Sequence, residues 1–179
     1  MKMKLLFLSE VKNKQIISFL SKRGKVDWTK EKLSIDNSSH YDWIISYGYQ
    51  HIISEQILDT SRNPIINLHI SYLPFNRGAH PNFWSFKEKT PKGVTIHFLD
   101  KGIDTGPILI QKECTFNKKD TLATSYLKLE SEIEKLFYVS FDKIISHDIM
   151  ATPQTSQGTF HKKSELPNEI DWNTNINDI

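Results

Sequence analysis

The chain has 179 residues, of which 38% are hydrophobic and 25% are charged, and this composition is typical of a single globular domain. Lys and Arg total 23 against 21 Asp and Glu, and a net charge of +2 scattered along the chain argues against capture of nucleic acid by charge. One cysteine, Cys114, excludes an intrachain disulfide framework and a thiolate zinc site. The sequence has no membrane-length apolar run and no cleavable leader pattern, which favours a cytoplasmic protein that does not contact a membrane.

Short apolar runs alternate with amphipathic segments over the first 70 residues. The predicted elements are a strand at 4–8, a helix at 13–22 that ends near Gly24, a weak strand within 28–35, a strand at 42–46, a helix that begins near Ser54 and a strand at 65–68. Strands that alternate with helices predict an α/β fold, a Rossmann-like open sheet that is mostly parallel and flanked by helices.

The second half of the chain contains two further strands and one long helix. A loop at 69–82 precedes predicted strands at 94–99 and 107–114, and a helix is expected at 121–146. We therefore expect one catalytic domain over 1–150 and a polar tail over 151–179 that wraps the same domain, with its last ten residues frayed. Aromatic residues of the long helix could supply the face of a homodimer; these are Phe137, Tyr138 and Phe141.

Three polar residues are candidates for catalysis. Asn67 and His69 are two positions apart at the end of a predicted strand, so their side chains point to the same side. Asp104 lies in a later Gly-flanked turn that could meet them. An amide donor, an imidazole base and an orienting carboxylate suit an acyl-type transfer, and the absence of a nucleophile elbow favours direct transfer over a covalent intermediate. For Asn-x-His alone, hydrogen bonding within a buried loop is the more ordinary explanation.

Two longer segments around these residues carry more information. Residues 67–78 read NLHISYLPFNRG, and residues 93–107 read GVTIHFLDKGIDTGP. In this order and separation they resemble the two signatures of the folate-dependent formyltransferase family. The resemblance implies transfer of a formyl group from 10-formyltetrahydrofolate to an amine without a metal, with Asn67, His69 and Asp104 as the catalytic trio.

The resemblance also implies a pterin pocket. Its expected lining residues are Ser46, Tyr47, Gly48, Tyr49, Ile52, Asp100, Gly102 and Ile103. Simple loop packing is the alternative role for the two tyrosines, and His97 is as easily structural as functional.

The identity of the amine is predicted from the features in which this sequence differs from particular subgroups of the family. Residues 9–13 lack the Gly-rich phosphate turn of the members that formylate glycinamide ribonucleotide, and the near-neutral charge offers little to tRNA. Only 66 residues precede Asn67, so we expect a fold shortened at the N-terminus. Residues 76–84, and more weakly 157–161, are similar to segments of the sugar N-formyltransferases, which act on nucleotide-linked amino deoxysugars used in surface polysaccharides such as the O-antigen of lipopolysaccharide.

The resulting prediction is a formyltransferase whose acceptor is an amino-sugar nucleotide. Its expected substrate-binding residues are Arg77, Gly78, His80, Asn82 and Trp84, with Arg77 on phosphate and Trp84 stacked on a ring. In the alternative roles, Arg77 caps its own loop and Trp84 belongs to the core. Two other functions remain open at this point, a formyltransferase for another small amine and a non-catalytic protein that still binds folate or a nucleotide.

Overall fold

The structure, a computed structural model, describes residues 2–179. Its elements are β1 (Met3–Leu8), α1 (Lys14–Ser21), β2 (Gly24–Thr29), α2 (Ile35–Ser38), β3 (Trp43–Tyr47), α3 (Glu55–Thr60), β4 (Ile66–His69), β5 (Arg77–Gly78), α4 (Pro81–Lys87), β6 (Gly93–Phe98), β7 (Ile108–Glu113), α5 (Leu122–Ile145) and β8 (Phe160–His161). Within these residues, none of the helices has both the length and the apolar character needed to cross a membrane.

Six strands form one sheet in the order β2-β1-β3-β4-β6-β7. The first four strands of this order run parallel, whereas β6 and β7 are antiparallel to their neighbours. Helices cover the sheet, and the predicted Rossmann-like, mostly parallel α/β fold is confirmed.

The apolar run that opens the chain forms a strand because both of its faces are covered. Leu5 and Phe7 pack into the larger core with α1 and α5, while Leu6 and Leu8 join a second cluster that includes Ile57 of α3. All four side chains of this run are at most 2% exposed. Such two-sided burial explains a continuous hydrophobic run in place of an alternating one.

The long helix α5 carries the largest buried face. Thr121 caps its first turn in a reciprocal capping box with Thr124. Phe137 and Phe141 are fully buried and pack with Phe19 of α1. The predicted dimer face is therefore wrong for these two side chains, because α1 lies on them, and Tyr138 also packs on Phe19.

The second strand lies earlier than predicted. It spans Gly24–Thr29 instead of a segment within 28–35, and α1 already ends at Ser21. Gly24 belongs to the strand because a Cβ there would lie 2.4 Å from the carbonyl oxygen of Met3 on the neighbouring strand. Glycine is used here for close approach of two backbones.

Residues 69–82 contain more structure than the predicted loop. Arg77–Gly78 form β5, which pairs in parallel with β8 of the tail, and α4 begins at Pro81. The pairing joins the tail to the loop that follows β4.

The end of the tail is docked, so the prediction of frayed residues is wrong. Ile176 and Ile179 pack on the apolar cluster formed by Phe83, Phe86 and Leu122. Asn175 and Asn177 each donate a side-chain hydrogen bond to the carbonyl oxygen of Lys118. Backbone hydrogen bonds also join this segment to the start of α5, from the Leu122 N–H to the Thr174 carbonyl oxygen and from the Ile176 N–H to the Asp120 carbonyl oxygen.

We predict that Phe137→Ala lowers the free energy of unfolding by about 3–5 kcal/mol, because truncation leaves a cavity between α5, α1 and the sheet. Val139→Ala is the control on the same helix, since Val139 is 72% exposed, and it should change stability by less than about 0.5 kcal/mol. Urea denaturation measures both values. Equal stabilities of the two variants would contradict the placement of Phe137 in the core.

Candidate active site

Asn67 and His69 lie at the carboxyl end of β4, the edge of an open α/β sheet at which ligands bind. Both residues are 9% exposed. Asp104 reaches them from the connection between β6 and β7, where its φ of 53° places it in the left-handed region that disfavours a residue with a Cβ.

The carboxylate of Asp104 stands at the centre of the arrangement. Its Oδ2 lies 3.8 Å from Nε2 of His69 and accepts a hydrogen bond of 2.8 Å from the Gly78 N–H. Its Oδ1 accepts from Nδ2 of Asn67 at 3.4 Å and lies 3.6 Å from Nε2 of His97. The structure thus brings together the three residues that the sequence singled out.

His97 fixes the orientation of the Asn67 amide. Its Nδ1 is 2.8 Å from the carbonyl oxygen of Phe98, so that nitrogen carries a hydrogen and donates it. With the hydrogen on Nδ1, Nε2 accepts from Nδ2 of Asn67 at 3.1 Å. The amide nitrogen therefore faces the site. Its second hydrogen makes only the long contact to Asp104, so it is available to another acceptor.

The protonation states follow from burial and charge. Burial lowers the pKa of His69, and His97 lowers it further, although Asp104 and the Asn76 carbonyl act in the opposite direction. Burial also opposes ionisation of Asp104, but His69, His97 and the Gly78 N–H outweigh it and hold the pKa of that carboxyl below its ordinary value. Near neutral pH the site therefore combines an ionised carboxylate with a neutral imidazole.

Gly78 holds Asp104 through its backbone, and its place could not be taken by another residue. Its φ is 86°, and a Cβ would lie 2.4 Å from the carbonyl oxygen of His161 on β8. The tail therefore presses against the strand that supplies a donor to the carboxylate. The sequence predicts a contact of Gly78 with the substrate and not with Asp104.

A cleft of about 610 Å³ opens in front of these residues, within the range of small-molecule sites. The predicted pterin residues that line it are Ser46, Gly48, Tyr49, Ile52, Asp100, Gly102 and Ile103. Ile52 and Ile103 are 79% and 48% exposed, so two large apolar side chains stand unpartnered at the cleft.

Tyr47 is the exception among the predicted pterin residues, because it does not line the cleft. Alternate side chains of β3 point to opposite faces, so Ser46 faces the cleft while Tyr47 and Ile45 pack into the core beneath α5. The Tyr47 hydroxyl is buried, and desolvation together with nearby Glu130 and Glu134 raises its pKa.

Three predicted substrate residues are engaged inside the protein. Arg77 donates to Gln154 and Gln157 of the tail, and Asn82 donates to Ser125 and the Leu122 carbonyl. The Trp84 ring stacks on the imidazole of His161, with centroids 4.0 Å apart. These placements correct the expected contacts to phosphate and sugar, because the tail covers Arg77 and Trp84 and α5 covers Asn82. Gly78 and His80 do line the cleft.

Sequence reasoning left His97 undecided and did not place Gln154 in the site. His97 is opposite Asn67 in the antiparallel register of β4 and β6. No sequence signal sets that register, although His97 lies inside the second motif. Among residues 2–179, no three His, Cys, Asp or Glu side chains are grouped as metal ligands would be.

A sequence profile of the formyl transferase family matches residues 14–154, which include the trio and its partners Gly78 and His97. The chain belongs to the formyl transferase family.

Two relatives of this chain within the family have assigned activities. A methionyl-tRNA formyltransferase of Thermodesulfovibrio yellowstonii is 34% identical over 83% of this chain and 51% of its own length. A dTDP-4-amino-4,6-dideoxyglucose formyltransferase of Mycobacterium bovis is 29% identical over 70% of this chain and 53% of its own length. The chain spans about half the length of these curated relatives.

A solved structure of the family matches over nearly the whole chain. The formyltransferase PseJ of Anoxybacillus kamchatkensis superimposes with a TM-score of 0.89 and 40% identity, covering 97% of this chain and 95% of its own. That crystal structure contains UDP-4,6-dideoxy-4-formamido-L-AltNAc and tetrahydrofolate.

We predict that the pKa of His69 lies below the ordinary histidine value of 6.5, and that Asp104→Asn lowers the His69 pKa further. The charged imidazole loses the carboxylate that favours it, so a lower pH is needed to protonate it. NMR titration of the His69 ring measures both values. Asp59→Asn, an exposed change on α3, is the control, and a rise of the His69 pKa in Asp104→Asn would contradict the electrostatics derived above.

Proposed function

We propose that the protein transfers the formyl group of 10-formyltetrahydrofolate to the amino group of a nucleotide-linked amino deoxysugar. The observation that carries the proposal is the 40% identity with PseJ over 97% of this chain, since PseJ was crystallised with a formamido sugar nucleotide and tetrahydrofolate. The convergence of Asn67, His69 and Asp104 beside one cleft supports it independently.

The PseJ complex also supports a particular class of acceptor. Its ligand carries a formamido group at the sugar 4-position on a UDP carrier. The amine that precedes such a product is a UDP-linked 4-amino-4,6-dideoxy sugar. We propose this compound class as the acceptor, and a sugar transferase of surface polysaccharide assembly as the consumer of its product.

The cleft supports a reduced folate as the donor. Ile52 and Ile103 provide apolar surface for a pterin ring, and the turn at Asp100 to Asp104 offers backbone groups at the same place. A ring bound there would lie next to the trio, because Asp104 belongs to both the turn and the trio.

The chemistry proposed for the trio is a direct transfer. The acceptor nitrogen attacks the formyl carbon, and the Asn67 N–H donates to the oxygen that becomes negatively charged. Neutral His69 accepts the proton that the nitrogen loses, and Asp104 stabilises the imidazolium that results. The bond from the formyl carbon to N10 then breaks, N10 receives a proton from the site, and tetrahydrofolate and the formamide leave.

Methionyl-tRNA is the second candidate acceptor, since the methionyl-tRNA formyltransferase of T. yellowstonii is 34% identical to this chain. The net charge of +2 weighs against it, because proteins that bind tRNA through phosphate contacts are ordinarily basic.

The acceptor is tested by incubating the protein with 10-formyltetrahydrofolate and each amine in turn, and following release of tetrahydrofolate and the formylated product. We expect turnover with UDP-linked 4-amino-4,6-dideoxy sugars and none with methionyl-tRNA or glycinamide ribonucleotide. Turnover with methionyl-tRNA alone would replace the sugar proposal. Folate binding without turnover on any amine would indicate a binding protein.

We predict that Asn67→Ala, His69→Ala and Asp104→Ala each lower kcat by about 100-fold or more, with much smaller changes in sugar-nucleotide binding. Because the three groups act on one reacting centre, the triple variant should lose far less than the product of the single losses. Steady-state kinetics and calorimetry measure these effects, with Asp59→Ala as the exposed control. Near-normal turnover by His69→Ala would contradict its assignment.

A further inference from the structure

Gln154 of the tail uses both ends of its side-chain amide at the active site. Its Nε2 donates to the main-chain carbonyl oxygens of Asp104 at 2.9 Å and Gly106 at 2.7 Å. Its Oε1 accepts from the Arg77 guanidinium, at 3.1 Å from Nε and 2.7 Å from Nη2. Both donors and both acceptor positions of this amide are therefore occupied.

These contacts connect the two segments that hold the catalytic carboxylate. Arg77 precedes Gly78 on β5, and the Gly78 N–H binds the Asp104 side chain. Gln154 thus ties the backbone of Asp104 to the strand that also holds its carboxylate. The result is a closed ring of contacts from Asp104 through Gln154, Arg77 and Gly78 back to Asp104.

Asp104 requires such support because of its backbone conformation. A residue with a Cβ at a φ of 53° is held in the left-handed region only where the surroundings fix it. The turn around Asp104 is also a wall of the open cleft, so packing covers it on one side alone. The two hydrogen bonds from Gln154 attach the tail directly to this turn.

We propose that Gln154 is a positioning residue that sets the Asp104 carboxylate against His69 for formyl transfer. The proposal rests on the proposed function and deepens it. It also reassigns Arg77, whose guanidinium supports Gln154 in place of a substrate phosphate. Arg77→Ala should accordingly lower kcat. A residue that only bound a substrate phosphate would instead raise KM and leave kcat unchanged.

Only an amide satisfies these contacts. Gln154→Glu retains an oxygen acceptor for Arg77. Its second carboxylate oxygen carries no hydrogen and is repelled by the two carbonyl oxygens that it faces. Gln154→Ala removes both halves of the link. Gln157→Ala is the matched control, because Gln157 is exposed and contributes only its main-chain carbonyl oxygen to Arg77.

The decisive kinetic experiment is a double-mutant cycle between Gln154 and Asp104. We expect Gln154→Ala and Gln154→Glu to lower kcat by about 10- to 100-fold with KM nearly unchanged, since a small displacement of a catalytic group costs that much. In the Asp104→Ala background, Gln154→Ala should lower kcat by less than about twofold, because the carboxylate that it positions is gone. An undiminished loss in that background, or wild-type kcat in Gln154→Ala, would overturn the proposal.

A substrate-free measurement separates this proposal from the proposed function. Asp104 and His97 are the titratable groups that face His69, and Asp104 raises the pKa of the imidazole. Release of the Asp104 turn should therefore lower the His69 pKa, measured by NMR, in Gln154→Ala and leave it unchanged in Gln157→Ala. An unchanged value in folded Gln154→Ala overturns the positioning role. A wild-type protein inactive on every amine would instead contradict the proposed function, and the titration would still decide the role of Gln154.

Discussion

The ionised carboxylate of Asp104 lies at the carboxyl edge of the sheet, and the structure around it must supply partners for its buried charge. Its side chain is only 12% exposed, and a buried charge without partners costs several kcal/mol. The groups around it come from three separate strands: Asn67 and His69 of β4, the Gly78 N–H of β5, and His97 of β6, which orients Asn67. The site exists only when all three strands are in place, so it depends on the six-stranded sheet and on the separate β5–β8 pair together.

The change from parallel to antiparallel pairing at β4 makes this convergence depend on the conformation of one turn. Since β6 runs antiparallel to β4, its end carries the turn with Asp104 away from the edge at which β4 ends, and the turn must bend back to reach it. The backbone of Asp104 adopts its left-handed conformation in this turn. Pairing of β5 with β8 then holds Gly78, whose N–H donates to the carboxylate.

Much of the fold and part of the site could be predicted from the sequence. The strands β1, β3 and β4 are continuous apolar runs, and α5 shows a long helical stripe, so their local sequences determine them. The strand β2 lies at the edge of the sheet and is only half buried, which leaves no clear pattern. The two-residue strands β5 and β8 are too short for any period, and only long-range pairing defines them.

The same distinction holds within the site. Asn67, His69 and Asp104 were predictable because they lie in two recognisable segments. Tyr47 was misplaced because a one-residue step along β3 changes the face on which a side chain lies. Arg77 and Trp84 were assigned to the substrate because nothing in their own segment reveals that Gln154 and His161 of the tail would contact them. In the same way, nothing there reveals that α5 would bind Asn82. The contribution of Gln154 has the same origin and could be found only in three dimensions.

The most direct test of this account is a ¹³C NMR titration of the Asp104 carboxyl carbon in the folded protein. The account predicts that this carbon keeps the chemical shift of a carboxylate over the whole acidic range in which the protein stays folded, with a pKa below the ordinary 3.8. A protonation midpoint above that value would show a neutral acid at the centre of the site. Neither the coupling to His69 nor the positioning role of its partners would then stand.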